Sequence, residues 1–83
     1  MRKYTPEEQR LHTLHAVEQL DLGVHQVWIR YFSIGGVADE FDVDAYLHGL
    51  KTLTTLDRDL VAHAVSELIK ETPPPPTAPY SDT

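Results

Sequence analysis

The sequence predicts an all-α protein: a small bundle of four short helices followed by a proline-rich C-terminal tail. Three observations carry this. A complete helix-start signature stands at Thr5-Pro6-Glu7-Glu8. Apolar residues then recur at three- and four-residue spacing through three further segments. The periodicity stops at four consecutive prolines, Pro73 to Pro76, where helix cannot continue. Residues 1–71 are therefore expected to form one helical domain and residues 72–83 an extended or disordered tail.

In the first helix, Thr5 stands at the N-cap, Pro6 at the first helical position and Glu8 at the third. The Thr5 hydroxyl is placed to accept from the Glu8 amide while the Glu8 carboxylate reaches back, and Pro6 gives up an N–H that would have no partner there. The helix is expected to run to about Asp21. Leu11, Leu14, Val17 and Leu20 step by three, so the apolar stripe drifts around its axis. Gly23 suits its C-terminal stop.

The second helix is Val24 to Phe32. Val24, Val27, Trp28, Tyr31 and Phe32 fit the template for one buried face. Gly35 and Gly36 end it by admitting positive φ. The third covers roughly 37–50, with a break expected near Asp42 and Asp42 or Asp44 capping its second half. Val43, Tyr46, Leu47 and Leu50 line one face. Lys51 to Thr55 reads as a loop. The fourth helix opens at Thr54 or Thr55, with Asp57 and Asp59 at the end where the helix dipole favours anions. Leu56, Leu60, Val61, Ala64, Val65, Leu68 and Ile69 give it a broad apolar face. The connections are short, so mostly antiparallel neighbours are expected.

Eighty-three residues allow one domain, which buries roughly 60% of its unfolded surface. Cysteine is absent, excluding disulfides and thiolate zinc sites. No apolar run is long enough to span a bilayer, and no apolar stretch follows Arg2-Lys3 as a secretory signal requires. A cytoplasmic location is the expectation.

The net charge is −6 and unevenly placed. Residues 1–38 balance four bases against four acids, while residues 39–83 hold nine acids and three bases. An acidic half repels phosphate backbones and favours basic partners.

The stretch 37–50 has the outline of a DNA-binding helix-turn-helix. Ala38 serves as the small packing residue, Asp42 as the turn and Val43 as the apolar residue after it. Its surface argues the other way. Asp39, Glu40, Asp42 and Asp44 would face phosphate oxygens, where a recognition helix presents donors and cations. Nucleic-acid binding is thus the second reading.

Histidines supply a third. His12 and His15 share one face of the first helix with Glu8, a set of types that ligates zinc, nickel or copper. A solvated polar face accounts for the same spacing, and neither metal nor cofactor is expected. Catalytic motifs are missing too. There is no cysteine nucleophile, no Gly-x-Ser-x-Gly and no phosphate-binding glycine loop. The pairs Asp42/Asp44 and Asp57/Asp59 are two residues apart and face different ways on a helix. The protein is not expected to be an enzyme.

Surfaces remain. Trp28, Tyr31 and Phe32 place three large rings within five residues, and not all are expected to point inward. Core packing accounts for part of them. Aromatic residues at a surface, with an arginine beside them, are common anchors of protein interfaces. Trp28, Arg30, Tyr31, Phe32, Asp39 and Glu40 are accordingly the candidate interface residues. The chain is expected to act as a homodimer, or as an adaptor or regulator that binds a protein partner. The proline-rich tail offers a second, extended docking element.

The segments Tyr31-Phe32-x-x-Gly35-Gly36 and Ala45-Tyr46-Leu47-x-Gly49, with the closing helix through Ile69, resemble those of short actinobacterial helical proteins that carry no assigned activity. The resemblance covers roughly Trp28 to Ile69 and transfers no catalytic or ligand residue. It implies a bacterial cytoplasmic accessory protein with a part in regulation.

Overall fold

A computed structural model describes residues 4–72, so the expected proline-rich tail lies outside the described residues. The described chain is an all-α bundle of four helices: α1 (Pro6–Gln19), α2 (Val24–Ser33), α3 (Glu40–Leu47) and α4 (Thr55–Glu71). None is long and apolar enough to cross a membrane.

The helix starts are encoded locally. At α1 the Thr5 hydroxyl accepts from Glu8 N at 3.1 Å and Glu8 Oε1 accepts from Thr5 N at 2.9 Å, closing the expected capping box. At α4 the N-cap is Thr54, whose hydroxyl accepts from Asp57 N. At α3 the N-cap is Asp39, whose carboxylate accepts from Asp42 N at 2.8 Å.

That last contact corrects the reading of 37–50. Asp42 neither breaks nor caps a helix; its amide is held by Asp39 in the first turn of a single eight-residue helix. Val37 and Ala38 lie before the helix and Leu50 after it. The two-helix arrangement expected within 37–50 is not formed. Because α3 stops at Leu47, the connection to α4 takes up residues 48–54 and carries a buried Leu53 that its sequence pattern did not suggest.

The first three helices end alike. The chain turns left-handed at Asp21 (φ 53°), Gly35 (φ 112°) and Gly49 (φ 77°). Each time the next amide reaches back five residues: Leu22 N to Val17 O, Gly36 N to Tyr31 O and Leu50 N to Ala45 O, at 2.8–3.0 Å. These are Schellman terminations, which satisfy carbonyls at the helix end. Gly23 is therefore not the stop of α1. It is the N-cap of α2, with extended backbone, and Asp21 takes the strained position.

Packing also departs from a simple up-and-down order. The principal contacts pair α2 with α4, α1 with α4, α2 with α3 and α1 with α3. Two chain neighbours, α1–α2 and α3–α4, touch little, so α1 and α2 each lie across both later helices. The core joins Val17, Val27, Tyr31, Val43, Tyr46, Leu47, Leu53, Val61, Ala64, Val65 and Leu68. The drift of the α1 stripe is real: Val17 is buried, while Leu11 and Leu20 are exposed.

Asp21 puts a side chain where glycine is preferred and a negative charge at the unfavourable end of a helix dipole. Asp21→Gly should raise stability by up to about 1 kcal/mol, several degrees in Tm for a chain of this size. Thermal unfolding followed by circular dichroism checks this. A lower Tm would mean that the aspartate makes a contribution the backbone argument omits.

Candidate functional site

The junction of α2, α3 and α4 is organised by Tyr31. Its spacing from Val27 places it on the inward face of α2, and the ring is fully buried. A buried phenol needs partners for its hydroxyl. Here it donates to Asp57 Oδ1 at 2.7 Å and accepts from Val37 N at 3.1 Å and Ala38 N at 2.9 Å. Asp57 is itself held, accepting from the Thr54 hydroxyl through Oδ2 at 3.0 Å. One oxygen thus ties α2 to the α2–α3 loop and to the first turn of α4. Burial, together with the Asp57 carboxylate, raises the Tyr31 pKa above its ordinary 10.0, against the lowering effect of the two amides.

Gly36 makes the geometry possible. A Cβ there would lie 2.2 Å from Tyr31 Cζ. The loop therefore crosses directly over the hydroxyl end of the ring, and a side chain would need a fully buried phenol to move. Trp28, one turn before Phe32, is half-buried. Its indole N–H donates to Ala38 O at 3.0 Å, so the same loop residue is held from both sides.

The six candidate interface residues consequently separate. Tyr31 has no exposed surface and belongs to the core. Arg30 turns to α4, donating to Glu67 Oε1 at 3.1 Å and to both Glu71 oxygens at 2.6 Å, and so fastens α2 to α4. Its pKa is raised and that of Glu71 lowered, chiefly by this hydrogen bonding. Asp39 caps α3, and Glu40 accepts from His25 Nδ1 at 2.7 Å. Trp28 and Phe32 stay together, their rings stacked with centroids 5.5 Å apart.

Around them the structure adds residues that the apolar pattern assigned elsewhere or left unassigned. Phe32 is 59% exposed, Val37 83%, Phe41 76% and Leu56 67%. All lie on the chain beside the groups that Tyr31 joins: Phe32 next to it, Val37 donating to it, Phe41 just after the Asp39 cap and Leu56 next to Asp57. Sequence periodicity placed Leu56 on the apolar face of α4, but the helix starts so that this position in its first turn faces solvent.

The histidine set is not assembled. Glu8 is engaged in the capping box, and the His12 ring stacks on Tyr4 at 4.6 Å between centroids. Among the described residues no group of three metal-ligating side chains converges.

With this geometry in view, comparison with known proteins finds no matching family model, no matching curated protein and no matching solved structure.

Tyr31→Phe would leave the Asp57 carboxylate and two loop amides short of a partner, a loss of about 2–4 kcal/mol. Urea unfolding of the two proteins measures it. The raised phenol pKa also carries a pH signature. Because the folded value lies above the unfolded one, the contribution is complete below pH 10 and is lost as pH rises through the folded value. A pH series of melting temperatures should fall above about pH 10, less steeply for Tyr31→Phe than for the parent chain. Equal slopes would remove Tyr31 as the titrating group.

Proposed function

We propose that the protein is a small acidic, non-enzymatic interaction protein, an adaptor or regulator that docks a protein partner on the apolar surface formed by Trp28, Phe32, Val37, Phe41 and Leu56. The observation that supports this most is the exposure of four large apolar side chains around one rigid, hydrogen-bonded junction. Scattered surface apolar residues need no explanation, whereas a local concentration marks interfaces more often than not. A site that is already rigid loses little conformational freedom on binding.

Charge selects the kind of partner. The apolar residues are interspersed with Asp39, Glu40, Asp42 and Asp57, in a chain of net charge −6. Two copies pressed together here would bring like charges into one interface, which costs affinity. A partner with an apolar centre and a basic rim fits better than self-association. Arg30 lies outside this surface, committed to Glu67 and Glu71. A regulatory role in a bacterial cytoplasm rests on the resemblance through Tyr31-Phe32-x-x-Gly35-Gly36 and joins the same proposal.

Site-directed photo-cross-linking tests the reading. A benzophenone side chain at Phe41 should give a discrete adduct in cells of the source organism, and one at Ile69, also exposed but near the far end of α4, should not. Intact-mass and peptide analysis of the adduct should identify a second protein whose linked segment is basic and apolar. Equal labelling at both positions would overturn the assignment. An adduct of twice the chain mass would replace the partner with a homodimer, which light scattering over a concentration series would show independently.

A further inference from the structure

A second feature lies between α1, the end of α3, the 48–54 loop and α4. A cleft of about 230 Å³ is lined by Glu7, Arg10, Tyr46, Gly49, Lys51, Thr52 and Arg58, with Pro6 at its edge. In a chain of net charge −6, three cationic side chains meet here.

Two of them are neutralised. Arg10 donates to both oxygens of Glu7, at 3.1 and 2.6 Å, and to Leu47 O at 2.8 Å. Lys51 pairs with Asp42 at 2.6 Å. Arg58 is different. Its Nη1 donates to Leu53 O at 2.8 Å and its Nη2 to the Thr55 hydroxyl at 3.1 Å, and no carboxylate pairs with it among the described residues. Its Nε is buried and has no hydrogen-bond partner among the described residues. Neither has the hydroxyl of Tyr46, a residue 97% buried, being 3% exposed. The two orphaned donors belong to residues that line the same cleft.

Buried donors are nearly always satisfied, and a half-buried cation without a counter-charge is costly. A small oxyanion supplies what both lack: a negative charge for the guanidinium and acceptor oxygens for Nε and the hydroxyl. The volume agrees, since it falls below the range of pockets that take whole metabolites. Gly49 adds a backbone reason. It is left-handed, and a Cβ there would crowd the Arg10 guanidinium at 3.3 Å, so glycine lets that side chain lie along the cleft wall.

We propose that this cleft binds a small oxyanion, a carboxylate or phosphate group, on Arg58, the cation without a carboxylate partner among the described residues, and the Tyr46 hydroxyl. The Tyr46 hydroxyl and Arg58 Nε have almost no solvent-accessible surface, so binding requires side chains at the cleft to rearrange. The site is separate from the apolar surface and does not depend on how that surface is used.

The test is a titration of the full chain, labelled with ¹⁵N, by inorganic phosphate and separately by acetate, against sodium chloride at matched ionic strength. The Arg58 Nε–H signal and the Gly49 and Thr52 amides should shift and saturate with at least one oxyanion, at a Kd of millimolar order or tighter. Saturation by phosphate alone assigns a phosphate group, and by acetate alone a carboxylate. Tyr46→Phe and Arg58→Gln should each weaken binding by about tenfold or more. Tyr46→Phe removes only an unpartnered hydroxyl, so it retains the fold and suffices if Arg58→Gln does not. No saturation by either oxyanion below about 50 mM, equal shifts with chloride, or parent-like titration of Tyr46→Phe would overturn the proposal.

Discussion

The Tyr31 hydroxyl makes three hydrogen bonds from a position without solvent contact, and the arrangement of α2, α3 and α4 depends on it. The bonds reach two kinds of group: the Asp57 carboxylate at the start of α4 and two successive amides in the loop that leads to α3. Hydrogen bonding to water is not an alternative at that depth, so the bonds must form together or be lost together. The loop is thereby drawn over the ring, which requires glycine at position 36. The indole of Trp28 then fixes Ala38 from the other side. Every exposed apolar residue of the proposed docking surface hangs from this node.

Polar fastening of this kind suits a small domain. A core of this size leaves little stability to spare, and cysteine is absent from the chain. The bundle is instead held at its edges by bonds between helices that the chain order does not make close neighbours. Gln9 donates to Asp59 across α1 and α4, Arg30 reaches Glu67 and Glu71 across α2 and α4, and Arg10 reaches Leu47 O across α1 and α3. The exposed ion pairs among these add orientation more than energy. What they leave unused is informative. Arg30, Arg10 and Lys51 have their carboxylates, whereas among the described residues Arg58 sits half-buried without one, beside an unpartnered phenol.

The helix boundaries show where local chemistry suffices. Thr5-Pro6-Glu7-Glu8 encoded the start of α1 to the residue, and the apolar spacing identified most of the core of α2 and α4. Glycine stands at two of the three left-handed stops, Gly35 and Gly49. The third fell on Asp21, with Gly23 two residues on as a decoy, because aspartate tolerates the left-handed region well enough that no glycine is needed. At α3 the expected caps were Asp42 or Asp44, but the cap is Asp39, which lies before the first turn with its carboxylate in reach of an amide three residues on.

The sequence by itself determined the fold class, the four helical segments and the absence of thiol chemistry, because these follow from composition and from spacing along one chain. The tertiary structure decided which aromatic residue of α2 became core and which became surface. Tyr31 and Phe32 are adjacent and equally apolar in pattern, yet one is fully buried and the other largely exposed, because the α2–α3 loop and Asp57 close over the first alone. It also assigned Arg30 to α4 rather than to the apolar surface, and it gathered Arg10, Tyr46 and Arg58, from three helices, around one cleft. Such groupings have no signature in a single chain. They arise when helices distant in sequence are packed, and the polar groups trapped between them must find partners or remain without.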